Sequence, residues 1–456
     1  MKTINHFFIL SLILILSSCN QKKEETTETS IAFNTPADFE LEEIYHPSNA
    51  EQGSWVALAQ GNGNTMYACD QYGKLYQFKV PEIGAVLSQK DVTPIDIEIG
   101  EAHGLLWAFN SLYVAVNKNW DDDIPDDQEK GSGIYRITDT NNDGKLDAAK
   151  MLLRLEGSGE HGPHSFALSP DGKEIYFIAG NHTLIPERVK ENSRIPTNWG
   201  EDNLFTPYLD ARGHANDVKA PGGWISKFNP DGSSFELISA GFRNPFDMAF
   251  NTDGELFAYD ADMEWDIGMP WYRPTRICHV TSGSEFGWRT GSVKWPAYYP
   301  DNLPAVHNLE QGSPTAVLST TNLNLPEKYQ NGLLAMDWSF GTVYFIELQP
   351  KGSSYEANRE EFLSGTPLPL TDMIAGNDGN IYFATGGRRL DSHLYRLRYT
   401  GTENTARSQE KSLISEDRNL RKQLEEYHTT ISTSGTELAW NHLNNPDRFI
   451  RYASRI

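Results

Sequence analysis

The stretch NPFDMAFNTDGELFAYD, from Asn244 to Asp260, reads as a strand, a tight turn and a second strand. Apolar residues recur on either side of Asp253-Gly254, and a DG pair between such runs is a strong short-range hairpin signal. The unit recurs along the chain. WVALAQGNGNTMYACDQYGKLYQFKV starts at Trp55, and HGLLWAFNSLYVAVN with GSGIYRITDTNNDGKLD follows from His103. HGPHSFALSPDGKEIYFIAG with GGWISKFNPDGSSFELISAG runs from His161, SPTAVLST with NGLLAMDWSFGTVYFIEL from Ser313, and PLTDMIAGNDGNIYFATG with SHLYRLRYT from Pro369. About six units of roughly 45–70 residues result. Their strands are too short and too numerous for one flat sheet, whereas radial repetition hides most strand edges. The expected fold is all-β: a six-bladed β-propeller over residues 36–401, with the stretch Phe39 to Tyr45 completing the last blade and closing the ring. A two-sheet sandwich is the competing fold, for which the chain is long.

Both ends depart from this pattern. Lys2 and the apolar run Phe7 to Leu16 make residues 1–18 an export signal, the run being too short to span a bilayer. Leu16-Ser17-Ser18-Cys19 resembles the lipobox of bacterial lipoproteins, in which the cysteine is lipid-modified and becomes the new N-terminus; an ordinary secretory peptide with a chance cysteine is the alternative. Residues 19–35 are polar and read as a flexible tether. Cys19 would then hold the protein to a membrane of the cell envelope, on its periplasmic or outer face. Loss of Lys2 with no acid takes the formal charge from −23 to −24. So acidic a chain does not bind nucleic acid non-specifically, and anionic lipid repels it, which leaves the lipid as the anchor. Cys69 and Cys278 allow one disulfide or two buried thiols. After residue 401 the period turns helical. Leu413, Leu420, Leu424 and Tyr427 share a face, and a second segment opens at Pro446-Asp447 with Phe449, Tyr452, Ala453 and Ile456 on one side. Residues 402–456 are expected to be a helical segment, the start of a helical repeat that stops inside an uncapped helix.

From Gly241 to Trp288 the chain is too polar for a core. Asp247, Asp260, Asp262, Glu264 and Asp266 crowd with Arg243, Arg273 and Arg276, interleaved with Trp265, Trp271, Tyr272 and Trp288. This is either a salt-bridged, solvated loop or the lining of a site, and the aromatics favour the site. Asp260, Glu264, Trp265 and His164 are the expected substrate contacts. Glu160-His161-Gly162-Pro163-His164 opens the third unit, and strand starts in a propeller surround its central channel. Histidine suits proton abstraction near neutrality, so His161 is the expected base, assisted by Glu160; two structural turn histidines are the alternative. His103 holds an equivalent place in the second unit, and His182 follows Asn181. Four such histidines outline a rim or a metal site, although no HxH or HExxH spacing is present. Arg243-Asn244-Pro245 supplies a guanidinium fork and an amide suited to a planar, oxygen-rich ligand, or an arginine that satisfies carbonyls at a blade junction. Asp139, Asn141, Asp143 and Asp147 flank Gly144 as a calcium loop lacking its final Glu, or as an Asx-rich turn. The acidic run Asp121 to Glu129 reads as a solvated loop. There is no GxSxG elbow, CxxCH haem site or Gly-rich phosphate loop.

On these residues the chain resembles the pyrroloquinoline quinone (PQQ) glucose/sorbosone dehydrogenase superfamily, and within it the propeller module of the membrane-bound dehydrogenase proteins of environmental bacteria. The resemblance spans residues 45–400. It implies that His161, nine positions before Pro170-Asp171, takes a hydroxyl proton while hydride passes to the quinone, with Glu160 as the acid beside it. It implies further that Arg243 and Asn244, in a GxRNPxG-type motif, hold the quinone oxygens and the substrate. His103 falls in the cofactor site, and backbone carbonyls at Asp262 and Met263 help hold the cofactor's calcium. Asp247 departs from the glycine usual there. Two arginines near the start of the family's last blade are replaced by Pro369-Leu370-Thr371-Asp372, and a lysine of the preceding blade by the stretch Asp337 to Ser339; Arg388 and Arg389 lie nearby. A desolvated tricarboxylate needs such cations. The reading that follows is a lipid-anchored oxidoreductase of a sugar or polyol-like substrate, with PQQ and calcium as cofactors and a separate cytochrome c as electron acceptor. The alternatives are a non-catalytic propeller that binds a glycan or a protein, and a metal-dependent lactonase or hydrolase.

Overall fold

Each DG hairpin folds as its sequence dictates. Gly254 adopts φ +76°, and its N–H returns to the Asn251 carbonyl at 3.0 Å, while the Asn251 side chain accepts from the N–H groups of Asp253 and Glu255. Only glycine takes that conformation without cost, and the Asn amide supplies what a bare turn would leave unpaired. The computed structural model describes residues 31–119, 131–197, 199, 218–264, 272–290, 293–406 and 415–456. The export signal, Cys19, the run 121–129, Trp265, Asp266, Trp271 and Leu413 lie outside them.

Six antiparallel blades follow one another. Blade 1 comprises Trp55–Gln60, Thr65–Asp70, Leu75–Lys79 and Val92–Ile95; blade 2 comprises Ala102–Ala108, Ser111–Val116, Gly133–Thr138 and Ala148–Arg154. Blade 3 is Pro163–Leu168, Ile175–Ala179, Gly223–Phe228 and Phe235–Phe242, and blade 4 is Pro245–Phe250, Leu256–Asp260, Arg276–Val280 and His307–Asn308. Blade 5 is Pro314–Ser319, Gly332–Asp337, Thr342–Lys351 and Ser354–Thr366. Blade 6 takes Leu370–Ala375, Ile381–Thr385 and Leu394–Tyr399 from the end of the ring and Phe39–Tyr45 from its beginning, with Phe39 paired to Tyr399. The first strand of each blade packs against the first strand of the next, and blade 6 returns to blade 1, so the ring is closed. The apolar core lies between neighbouring blades: Phe177 and Trp224 fill the gap between blades 2 and 3, and Trp55, Tyr76 and Tyr382 that between blades 6 and 1. Cys69 and Cys278 are both buried and free, so no disulfide forms between them.

The first strand of every blade carries a register shift near its start: Trp55/Ala57, Ala102/Gly104, Pro163/Phe166, Pro245/Asp247, Pro314/Val317 and Leu370/Asp372. Bulges re-aim the extra residue. Here the residues within the bulges begin with Val56, His103, His164, Phe246, Thr315 and Thr371, one per blade. The blades close tightly beneath them. A Cβ on Gly104 would stand 2.0 Å from the His164 carbonyl, which reserves that position for glycine.

Three helices, Glu416–Glu425, Thr433–His442 and Arg448–Ala453, cover the edge of the ring. Ser415, Ser432 and Asp447 cap their N-termini with side-chain oxygens, each such cap contributing about 1 kcal/mol. The apolar stripe is buried on the propeller, where Phe449 and Tyr452 join Met248, Leu256 and Phe286. The last helix does not run to the end of the chain, as its sequence suggested. It closes at Ala453, with the Ser454 N–H bonded to Ile450 at 3.0 Å. No helix among the described residues is long and apolar enough to cross a membrane.

Candidate active site

In an antiparallel blade the start of the first strand and the end of the second lie at the same end of the ring. Those two places in each blade surround one cavity of about 930 Å³. From ahead of first strands come Glu101, Glu160, His161, Arg243, Asn244 and Ser313. From behind second strands come Tyr72, Asn117, Lys118, Asp262, Glu264, Trp338, Arg388 and Arg389. Five of the six bulge residues, Val56, His103, Phe246, Thr315 and Thr371, also line it. His161 and Arg243 therefore face one common space.

The ring of His161 is buried, and its Nδ1 lies 2.5 Å from Asn181 Oδ1. An amide oxygen only accepts, so this contact places the proton on Nδ1 and makes Nε2 the basic nitrogen. The His182 ring lies against it, with centroids 4.7 Å apart. Asn181 thus orients His161, a role the sequence pointed to Glu160 for. The Glu160 carboxylate instead pairs with Arg388 from blade 6, and both side chains are more than half exposed, at 57% and 64%. Arg388 also lies over the Trp338 ring, 5.2 Å from its centroid. Asn244 spends its amide on structure: Oδ1 accepts from His164 Nε2 at 2.7 Å, and Nδ2 donates to the Glu160 carbonyl at 3.0 Å. It holds blades 3 and 4 in register, while Arg243 before it lines the same cavity as His161.

His103 meets Asn117 Nδ2 with its Nδ1 at 3.1 Å, and burial pushes its pKa down to about 4, so it is neutral at physiological pH. His164 is fully buried behind Asn244 and Phe246 and does not line the cavity; burial, with His103 beside it, pushes its pKa down to about 3. Asp262 is pushed up to about 6 by burial and by the neighbouring Glu264, and accepts from the Gly312 N–H at 3.3 Å.

Two further expectations are corrected. Asp260 is no substrate contact. It is completely buried, and Arg276 at 2.9 Å and Lys294 at 3.2 Å bind it. Burial alone would raise its pKa, but those two cations outweigh burial and hold it below the ordinary value. Lys294, pushed down to about 8 by burial, also donates to the Ala261 carbonyl. Met263 does not line the cavity: its N–H and carbonyl bond to Arg273 at 3.0 and 2.9 Å, and its side chain packs on Trp288. The Asp139 to Asp147 loop is an Asx-rich turn on the outer edge of blade 2, its side-chain oxygens accepting from the loop's own N–H groups. Asp139 accepts from the Asp143 and Gly144 N–H groups, Asn141 from Asp143, Asp143 from Lys145, and Asp147 from Thr140. Among the described residues, the four rim histidines do not gather with one another or with acids into a group of three close ligand atoms.

The arginines expected at the start of blade 6 are absent, and Thr371 there donates to the Trp55 and Ala384 carbonyls. Arg388 and Arg389 enter the same cavity from the end of the second strand, held after Gly386-Gly387 at φ +48° and +65°. With Lys118 and Arg243 they give four cations, set against Glu101, Glu160, Asp262 and Glu264. That donor set fits a planar, carboxylate-bearing ring held together with a divalent cation.

The architecture has known counterparts. The fold is that of the sugar-dehydrogenase propellers. A Thermus thermophilus protein assigned as an oxidoreductase (glucose dehydrogenase) superimposes with a TM-score of 0.55 at 17% identity, over 79% of this chain and 99% of its own. The PQQ-bound aldose sugar dehydrogenase of Streptomyces coelicolor gives 0.50 at 14% identity, over 80% and 100%. The apo-form soluble aldose sugar dehydrogenase of Escherichia coli gives 0.54 at 14%, over 79% and 99%. At such identities the likeness speaks for the fold. No family model and no curated protein matches the sequence.

Proposed function

We propose that the protein oxidises a sugar or polyol-like alcohol in the axial cavity. The observation that carries this reading is the placement of His161, with Nδ1 fixed by Asn181, and of Arg243 in one cavity. His161 Nε2 takes the substrate hydroxyl proton, and Arg243 stabilises the negative charge that develops on the oxygen. Asn244 and His164 keep the two blades that carry these groups at a fixed spacing. The exposed Tyr72 at the mouth offers an apolar face to a sugar ring. PQQ with calcium is the proposed cofactor. Arg243, Arg388, Arg389 and Lys118 would hold its carboxylates, and Asp262 and Glu264 are the acids available to the cation. When bound, the quinone supplies the hydride acceptor. Cys19 is the proposed lipid anchor in the cell envelope, and a separate cytochrome c the proposed acceptor of electrons.

The test is reconstitution of the purified protein with PQQ and calcium, with dye reduction followed over a panel of aldoses. Turnover that is lost in His161→Gln supports the reading. Absence of both cofactor binding and turnover overturns it. A second reading, capture of a glycan without chemistry, is favoured by the Glu160–Arg388 pair, which already spends one cation of the grip. On a glycan array it predicts binding with no redox product.

A further inference from the structure

Away from the cavity, Glu43, His46 and His393 gather where the ring closes. Glu43 lies on the closing strand Phe39–Tyr45, His46 follows it directly, and His393 precedes the blade 6 strand Leu394–Tyr399 to which that strand pairs. The two imidazole rings lie 4.1 Å apart. Each presents Nδ1 to Glu43 Oε1, at 3.7 Å for His46 and 2.9 Å for His393. Each presents Nε2 to Asp391, His46 to Oδ1 at 3.0 Å and His393 to Oδ2 at 3.3 Å.

Counting protons and lone pairs decides what such a cluster is suited to. Ionised carboxylates only accept, and a neutral imidazole carries a single N–H. Two neutral rings can therefore satisfy two of the four contacts. Two charged rings would satisfy all four but would set like charges nearly face to face. If both N–H groups sit on Nε2, each donates to a different oxygen of Asp391. Both Nδ1 lone pairs then converge with Glu43 Oε1. Asn49 Nδ2, 2.8 Å from His46 Nδ1, is consistent with a lone pair there. Three ligand atoms within 4.8 Å of one another, with a carboxylate behind both imidazoles, make a donor set for a zinc-class dication: two nitrogens and one oxygen as ligands, and Asp391 as the partner that fixes both tautomers. A tetrahedral zinc with bonds of about 2.0–2.1 Å holds its ligands roughly 3.3 Å apart, between the two Nδ1–Oε1 separations seen here. Glu43 is partly exposed, so solvent can reach the fourth position, and the exposed Asn49 side chain can swing aside.

We propose that Glu43, His46 and His393, backed by Asp391, form a zinc-class metal site that clasps the first strand of the ring to its last blade. The site is independent of the cavity and of the reaction proposed for it.

The experiment uses the full chain, stripped with chelator and titrated with Zn²⁺ by calorimetry, with thermal unfolding followed in parallel. The expected result is one zinc per chain and a rise in Tm that chelator reverses. His46→Ala and His393→Ala are expected to weaken binding by at least about ten-fold, and Asp391→Asn by about 10- to 100-fold. Asp139→Ala, at the outer turn of blade 2, is expected to bind as the unaltered protein does. Circular dichroism at low temperature verifies that each variant is folded before titration. Zinc affinity unchanged in folded His46→Ala and His393→Ala, or no binding at 100-fold excess zinc, would overturn the proposal.

Discussion

Blade 4 and the cavity mouth both carry many charges, and they use them in opposite ways. On blade 4, Asp260 is sealed between Arg276 and Lys294. Asp253 and Glu255, flanking the DG turn, receive Arg418 and Arg421 from the tail helix at 2.7 Å each. Arg421 is 1% exposed, and Glu255 also accepts from His279 at 2.9 Å. Burial alone would raise the Glu255 pKa, but His279, Arg421 and Lys422 hold it far below the ordinary value. At the mouth, the Glu160–Arg388 pair is open to water. Density of charge therefore does not mark a site. Charges sealed in mutual pairs hold elements together, and those left facing a cavity are available to a ligand.

The largest expected effect tests the mouth. His161→Gln should lower sugar oxidation by about 10²- to 10⁴-fold while leaving the unfolding midpoint close to that of the unaltered protein, as general-base removal does elsewhere. Dye-reduction kinetics and a thermal melt separate the two quantities. Next comes the sealed region. Arg421→Ala removes the buried cation shared by Glu255 and Glu425 and should cost about 3–5 kcal/mol in urea unfolding, with activity per folded molecule unchanged. Equal losses for Arg421→Ala and Arg388→Ala would erase the contrast between the regions.

A smaller effect concerns pH. Asp372, on the first strand of blade 6, is pushed up to about 7 by burial and by Asp247, and accepts from the Leu58 N–H of blade 1 at 2.6 Å. A carboxylate whose folded pKa lies above its unfolded value of about 4 favours the protonated fold, so its contribution is full below that value and is lost as pH rises towards and through 7. Melts between pH 5 and 8 should show Tm falling as pH rises, with a flatter profile in Asp372→Asn. An unchanged slope would remove Asp372 from the account. The smallest change is Arg388→Ala: an exposed pair contributes about 0–1 kcal/mol, so stability should barely move. Apparent affinity for PQQ, read by titration, should weaken.

The propeller was legible because its signal is local and repeated. DG turns between alternating runs recur in most blades, and Phe39 to Tyr45 stood out as a strand with no neighbour of its own. His161, Arg243 and Asp262 were legible as cavity residues because they stand at strand edges. Asp260, one residue inside its strand, looked alike in sequence, but its partner Lys294 comes from a distant segment. Asn181 was passed over because an amide beside His182 signals nothing until the fold brings His161 to it. Counting from strand ends would have found Lys118 and Trp338, since each follows the second strand of its blade. Nothing in the tail segment marks Arg418 and Arg421 as buried, because Asp253 and Glu255 lie far back along the chain. The bulge that turns His103 and Thr371 toward the axis leaves no mark in composition, since the residue there is Val, His, Phe or Thr depending on the blade.

Closure by Phe39–Tyr45 has a consequence for how the protein is made. A ribosome delivers Phe39 early and Tyr399 late, so one of the first strands to emerge must wait, unpaired, for nearly the whole chain to follow. Contacts so far apart in sequence make for slow folding, and an unpaired strand edge recruits other strands while it waits. Until that strand docks, the six blades form an open arc, and its pairing with Leu394–Tyr399 makes the arc a torus.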